Sequence, residues 1–219
     1  RRIIAQGLAL SHYVEQTDFP VIDWLLSDDA GEYTRIARKG HALCWIHDAR
    51  YYRKLIPRLD IHQQIHRRIL KDYWAFYEQL RSFRLEPAQK QQQLKADLEQ
   101  QFEEIFNQTT DYFQINTCLA RTYANKEKLL AVLDNPALPL HNNAAERGAR
   151  RVVRKRDISL HTWSTKGTQI RDAYMSVVET AAKLGVNAMS YIQDRLSLQP
   201  EMTSLAELIA RRYQIVSAH

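Results

Sequence analysis

The sequence predicts an α/β protein that is predominantly helical, and three observations predict it. Two short apolar runs, residues 21–26 (Val-Ile-Asp-Trp-Leu-Leu) and 41–46 (His-Ala-Leu-Cys-Trp-Ile), have the length and composition of largely buried strands. The stretch between them, residues 30–39, has helical composition, so the three form a β-α-β unit with parallel strands. From residue 48 to residue 133 the strand signal almost vanishes, and apolar side chains return with a helical period instead.

Each element follows from its residues. The first strand runs into Ser27-Asp28-Asp29, a polar turn. Asp29 with Glu32 makes an N-cap box for the next helix, which gives Asp29 a structural task and leaves Asp28 without one. Gly40 is expected to stop that helix. After the second strand, Arg50, Arg53 and Lys54 begin a helix whose polar side faces nucleic acid or the helical segment that follows. Residues 63–85, 88–108 and 110–133 read as long helices, broken by Pro87 and by a Thr-Thr pair. The second of them aligns Leu94, Leu98, Phe102, Ile105 and Phe106 on one face, the mark of a packed amphipathic helix. Beyond Pro136 and Pro139 a basic helix begins. Further helices follow, the last opening with Ser204 and Glu207 in capping-box register. The expected organisation is a β-α-β core in residues 1–47, a helical insertion in 48–135, a return to the core in 136–199 and a C-terminal helix in 200–219.

Charge points to the partner. The chain carries 31 Lys and Arg against 25 Asp and Glu, a net charge of +6, with a pI near 9.3. The ten residues from 147 to 156 hold six of those cations: Arg147, Arg150, Arg151, Arg154, Lys155 and Arg156. On a helix Arg147, Arg150, Arg151 and Arg154 share one face, while Ala145, Ala149, Val152 and Val153 share the other. A one-sided cationic face suits a polyanion, and nucleic acid fits better than a membrane, because no apolar run approaches the roughly 18 residues of a spanning helix. With no signal-peptide pattern the expected location is the cytoplasm. Two distant cysteines, Cys44 and Cys118, read as free buried thiols in a reducing compartment. Cys44 and His47 lack the second pair a zinc site needs. The sequence has no G-x-S-x-G, no phosphate-binding glycine loop with Lys-Ser/Thr and no H-E-x-x-H.

Glu146 stands directly ahead of the basic run. A carboxylate there repels phosphate unless a divalent cation lies between them. Asn143 to Glu146 is also capping-box spacing, which by itself accounts for an acid in the first turn. Asp28 and Glu146, from distant parts of the chain, are together the donor type a hard cation takes, since Mg²⁺ prefers oxygen ligands and completes its shell with water and phosphate.

Three blocks resemble the RNase H-like DDE transposases of bacterial insertion sequences, specifically insertion-sequence family 66. "LLSDDAGEY" is similar to the strand end bearing the second catalytic Asp, "ALCWIHDARYYRKL" to the Cys-Trp-x-His-x-x-Arg block, and "PLHNNAAERGARRVVRKRD" to the Asn-Asn-x-x-Glu block with the catalytic Glu. A fourth, "AAKLGVNAMSYIQDRL", resembles the family's C-terminal segment. The resemblance implies a partial RNase H-like catalytic core, two of its strands visible, interrupted by a large all-helical insertion. It implies that Asp28 and Glu146 are catalytic and bind Mg²⁺ or Mn²⁺ in a two-metal site. His47, Arg50, Asn142 and Asn143 would support them, and the chain would act on DNA, at transposon ends and target, as a homo-oligomer on that DNA. The reaction implied is strand cleavage and joining by phosphoryl transfer. The first catalytic Asp of such a site has no counterpart here, since Asp18 precedes Pro20 in a turn and Asp23 lies in the strand that ends at Asp28. It is expected upstream of residue 1, and this chain is expected not to catalyse alone. Two competing readings are a non-catalytic DNA-binding protein, using the basic helix or a helix-turn-helix-like segment at 179–196 marked by Ala181 and Gly185, and a helical protein-interaction module.

Overall fold

The computed structural model describes residues 2–16, 21–28, 37–159 and 162–217, the side chains of some of these excepted. Helix α1 (Arg2–Glu15), which the residue pattern did not announce, opens the chain. Arg38 closes its C-terminal end, donating through Nε and Nη2 to the Val14 carbonyl at 3.1 and 2.8 Å and through Nη2 to that of Gln16 at 2.6 Å. These are the carbonyls a helix leaves without partners of its own.

Strands β1 (Trp24–Ser27) and β2 (Gly40–Leu43) pair in parallel as expected, in the register Trp24 with Gly40 through Ser27 with Leu43. Both are offset from the apolar runs. β1 begins late because the Asp23 carbonyl already accepts from Lys39 N and Gly40 N at 2.7 and 3.2 Å, while its carboxylate pairs with Lys39 Nζ at 2.8 Å. β2 ends early, and Trp45 and Ile46, read as strand, instead open α2 (Trp45–Arg53). Arg50 and Arg53 therefore lie in the last turn of that helix rather than at its start. Gly40 also has a different role from the one its position suggested. It opens β2, and a Cβ there would come within 2.9 Å of Trp24 ring carbons, so only glycine lets the Trp24 ring lie across it. The helix expected between the strands, with Asp29, Glu32 and Tyr33, lies outside the described residues, as does Asp18.

The helical stretch follows as α3 (Asp60–Phe83) and α4 (Ala88–Phe106), close to the predicted bounds. The long helix expected over 110–133 is instead three: α5 (Phe113–Ala124), α6 (Lys126–Leu129) and α7 (Ala131–Asp134). Packing explains the breaks. Leu129, Leu130, Ala131, Val132 and Leu133 are all buried, between 2% and 7% exposed, and five consecutive residues encircle a straight helix instead of sharing a face. Interruptions at Asn125 and Leu130, both near ψ zero, re-aim the chain so that every one of them turns inward.

Trp45 is the hub of the core. Its ring meets Tyr73, Phe76, Phe102 and Phe106 at centroid distances of 5.4 to 6.3 Å, and its indole N–H donates to the Leu129 carbonyl at 3.0 Å. Because it draws on α3, α4 and α6 at once, this packing overrides the strand-like composition around it. A smaller cluster of Trp24, Leu26, Ala42, Ala131 and Leu138 covers one face of the sheet.

The described residues up to Asn142 form one compact unit, and those from Asn143 onward a second. The second contains α8 (Asn143–Ser159), α9 (Thr165–Leu184), α10 (Ala188–Leu196) and α11 (Leu205–Ser217). Side chains set its helix ends. Ser164 Oγ accepts from Gly167 N at 3.0 Å, Asn187 Oδ1 from Ser190 N at 3.0 Å, and Ser204 Oγ from Glu207 N at 3.1 Å, the last in the predicted register. Gly185 ends α9 at φ +75°, the left-handed conformation glycine adopts without cost. Ala181, Tyr191 and Leu205 form the small buried centre. Among the described residues, no helix is long and apolar enough to cross a membrane.

Candidate functional site

Parallel pairing opens the C-terminal ends of both strands onto one edge, the place where parallel sheets present their ligand-binding groups. The ladder closes with Cys44 N donating to Ser27 O at 2.9 Å. Asp28 comes next, exposed, on backbone held from behind. Ser27 is buried, and its Oγ lies 2.7 Å from His41 Nε2, a cross-strand bond that pins the end of β1 to β2. Trp45 N donates to the Leu140 carbonyl at 3.0 Å, which ties residues 138–142 to the same edge, with Leu138 and Leu140 both buried. His47 is half-buried in the first turn of α2, its N–H bonded to Cys44 O at 3.1 Å, and Arg50 is exposed nearly one turn on. Asn142 is half-buried, and its Oδ1 is enclosed without a hydrogen-bond partner among the described residues.

One polar cluster escaped the sequence reading. Asp48, 4% exposed, accepts from Arg121 Nη1 at 2.7 Å, from Thr122 Oγ1 at 2.7 Å and from Tyr73 Oη at 3.1 Å. Tyr52 Oη in turn lies 2.7 Å from Thr122 Oγ1, and the Arg121 guanidinium sits 3.7 Å over the Tyr51 ring. Burial pushes the Asp48 carboxyl up, and Thr122, Arg121 and Tyr73 pull it back only in part. Burial likewise raises the Tyr52 and Tyr73 hydroxyls far above their ordinary range. The cluster fastens α2, and with it His47, to α3 and α5. Its partners lie 25 to 74 residues from Asp48 in sequence, so no local spacing announces it. Arg53 stacks 4.8 Å from the Trp74 ring, so it faces the helical segment, one of the two options its position allowed.

In the second unit, α8 starts at Asn143 itself. Glu146 falls in the first turn of this helix, where an acid suits the positive end of the helix dipole. The Glu146 side chain is 27% exposed, and a cavity of 230 Å³ is lined by Asn143, Glu146, Arg147 and Arg150. Arg150 Nη2 lies 3.8 Å from Glu146 Oε2 and is itself 72% exposed. Arg147 and Arg154 are exposed as well. So are the apolar residues Ala145, Ala149, Val153 and Ile158. The side chains of Arg151, Val152, Lys155 and Arg156 lie outside the described residues.

The helix-turn-helix-like segment is a packed helix pair. Arg195, the single base on α10, sits 5.1 Å over the Tyr191 ring, pairs with Asp194 at 3.0 Å and donates to the Met202 carbonyl. That side chain is occupied within its own unit and leaves α10 no free cation for a base edge.

The sequence profile described as "Transposase IS66 family" matches residues 12–170, most of this chain, from the end of α1 through both strands and α8 to the start of α9. The chain belongs to the IS66 family of transposases. A protein of Sinorhizobium fredii (strain NBRC 101917 / NGR234), described as uncharacterized protein y4jO, is 35% identical over 189 residues, 86% of this chain. The chain spans 57% of that relative's length. No solved structure matches it. Among the described residues no three His, Cys, Asp or Glu side chains converge as a metal cluster. The family generally works with divalent metals, and carboxylate oxygens are the ligand class that suits Mg²⁺ or Mn²⁺.

Proposed function

We propose that this chain carries part of the catalytic core of a DDE transposase with an RNase H-like arrangement, acting on DNA by strand cleavage and joining. Asp28 and Glu146 are the carboxylates that hold Mg²⁺ or Mn²⁺, the two that this chain contributes to such a site. When bound, such ions activate the attacking oxygen and stabilise the leaving one. The chain's own residues do the rest. Asp28 projects from a strand end that the Ser27–His41 bond and the Cys44–Ser27 bond hold fixed, so its oxygens meet a ligand without reorganisation. Arg147, Arg150 and Arg154, with Arg151, Lys155 and Arg156, bind DNA phosphates along α8. His47 and Arg50 border the strand edge, and Asn142 and Asn143 lead into α8.

The observation that carries this reading is the exposed Asp28 at the C-terminal end of a parallel strand.

The test uses the full-length gene product. Asp28→Asn and Glu146→Gln should each lower metal-dependent cleavage of transposon-end DNA by about 10²–10³-fold or more, while DNA affinity stays within about twofold. Equal loss of binding and cleavage assigns these residues to folding, and retained cleavage removes them from the mechanism. Size-exclusion chromatography with and without transposon-end DNA tests assembly into a homo-oligomer on that DNA.

A further inference from the structure

A second cationic site lies far along the sequence from α8, in the unit that holds the strands. A cavity of 230 Å³ is walled by Tyr77, Arg81, Arg84, Leu140 and His141, and no carboxylate among the described residues lines it. We infer that this cavity binds a phosphate group, and that in the transposase reading this group belongs to the DNA backbone.

Three features argue for it. Arg84 is fixed in place by neutral acceptors, its Nε donating to Pro136 O at 3.0 Å and its Nη2 reaching Ala137 O at 3.5 Å. Those bonds use two of the five N–H groups of a guanidinium and leave its charge without an acid partner among the described residues. A guanidinium pre-oriented in this way loses little freedom on meeting an anion, and its remaining donors match phosphate geometry.

Arg81, one helical turn earlier on α3, adds a second cation. Its pairing with Glu78, at 3.2 Å, is between side chains 65% and 60% exposed, so water screens it and it holds Arg81 only weakly. The third feature is His141, whose Nδ1 is buried without a hydrogen-bond partner among the described residues. His141 lines the same cavity, so its ring is placed to sense an anion that enters.

The place of the cavity fits a backbone phosphate. Leu140, one wall, is the residue whose carbonyl accepts from Trp45 at the strand edge, and His141 follows it. A DNA strand lying along that edge meets Arg81 and Arg84 beside the residues that lead into α8.

The test uses the 219-residue chain and two probes: a DNA duplex, titrated by fluorescence anisotropy across a salt series, and inorganic phosphate, followed through the His141 ring resonances. Arg81→Ala also unmasks Glu78, so it is paired with Glu78→Gln, and Arg67→Ala on the same helix is the control. Arg84 stays in place in this Arg81→Ala/Glu78→Gln double variant, because it holds carbonyls of its own unit, and circular dichroism checks that the variant keeps the fold.

The double variant should lose about one unit of log-log salt slope for DNA relative to the control, and inorganic phosphate should shift His141 in the wild type but not in the variant. If the slope is unchanged while the phosphate shift is lost, the site stands and its source is a free phosphate rather than DNA. If neither changes, the inference is overturned. Should the wild-type chain fail to bind DNA at all, the transposase reading suffers, while the phosphate titration still decides the cavity.

Discussion

The helices around Trp45 and the helix that carries Glu146 treat charge in opposite ways. Between α2, α3 and α5, an acid and an arginine are pulled inward and each oxygen of Asp48 is matched to a donor. Along α8, Arg147, Arg150 and Arg154 stand in solvent, Arg150 reaches Glu146 only at long range, and apolar residues of the same helix are exposed beside them. A buried ion pair fixes one arrangement of helices but adds little net stability, whereas exposed cations add almost nothing to the fold and remain available to a polyanion. The contrast separates residues that make the structure from residues that await a partner.

The harshest way to test that contrast is to empty the hub. Trp45→Ala removes a fully buried ring and the indole bond to Leu129, and should cost about 3–5 kcal/mol in urea unfolding of the strand-bearing unit.

Asp48→Ala should come next, at about 3 kcal/mol, because it strands Arg121, Thr122 and Tyr73. Asp48→Asn distinguishes charge from shape. Burial raises the folded carboxyl above its ordinary value of 3.8, so the folded state holds that proton more tightly than the unfolded chain. The stability this contributes is complete below 3.8 and is lost as pH rises through the folded value. The unfolding midpoint of the Asn variant should therefore gain on the wild type as pH rises across that window. A constant gap between the two would show that Asp48 does not titrate differently in the folded state.

A smaller effect belongs to the second unit. Gly185→Ala places a Cβ at φ +75° and should cost about 1–2 kcal/mol, read by thermal unfolding of α9–α11, with no steric clash to blame because open space surrounds that position.

The smallest effect on stability completes the series. Replacing Arg147, Arg150 and Arg154 together by Ala should move the unfolding free energy by no more than about 0.5 kcal/mol. The same variant should flatten the salt dependence of DNA binding by about one unit of log-log slope for each phosphate that the missing guanidinium groups no longer neutralise. A large loss of stability would place those arginines among the structural residues and erase the contrast.

Much of this was legible in the residues. The two strands and their parallel pairing follow from short apolar runs around a helical stretch, α3 and α4 from a sustained helical period, and the start of α11 from Ser204 and Glu207, whose capping bond is present. Membership of the IS66 family is carried by three short blocks and the profile match across residues 12–170. These signals are local or periodic, and a chain carries them before it folds.

Tertiary structure decided what depends on partners distant in sequence. Trp45 became the first residue of α2 because four rings and a carbonyl from three other helices surround it, although its neighbours have strand composition. The 110–133 helix broke because five consecutive residues had to be buried at once. Asp48 and the Arg81–Arg84–His141 cavity were invisible for the same reason: their partners are brought together only by the packing of helices far apart in the chain. The sequence by itself determined the paired strands, α3, α4 and the start of α11, and which family this is. Packing determined where the elements stop and which charges are buried, because hydrogen-bond satisfaction and close packing are properties of the assembled interior.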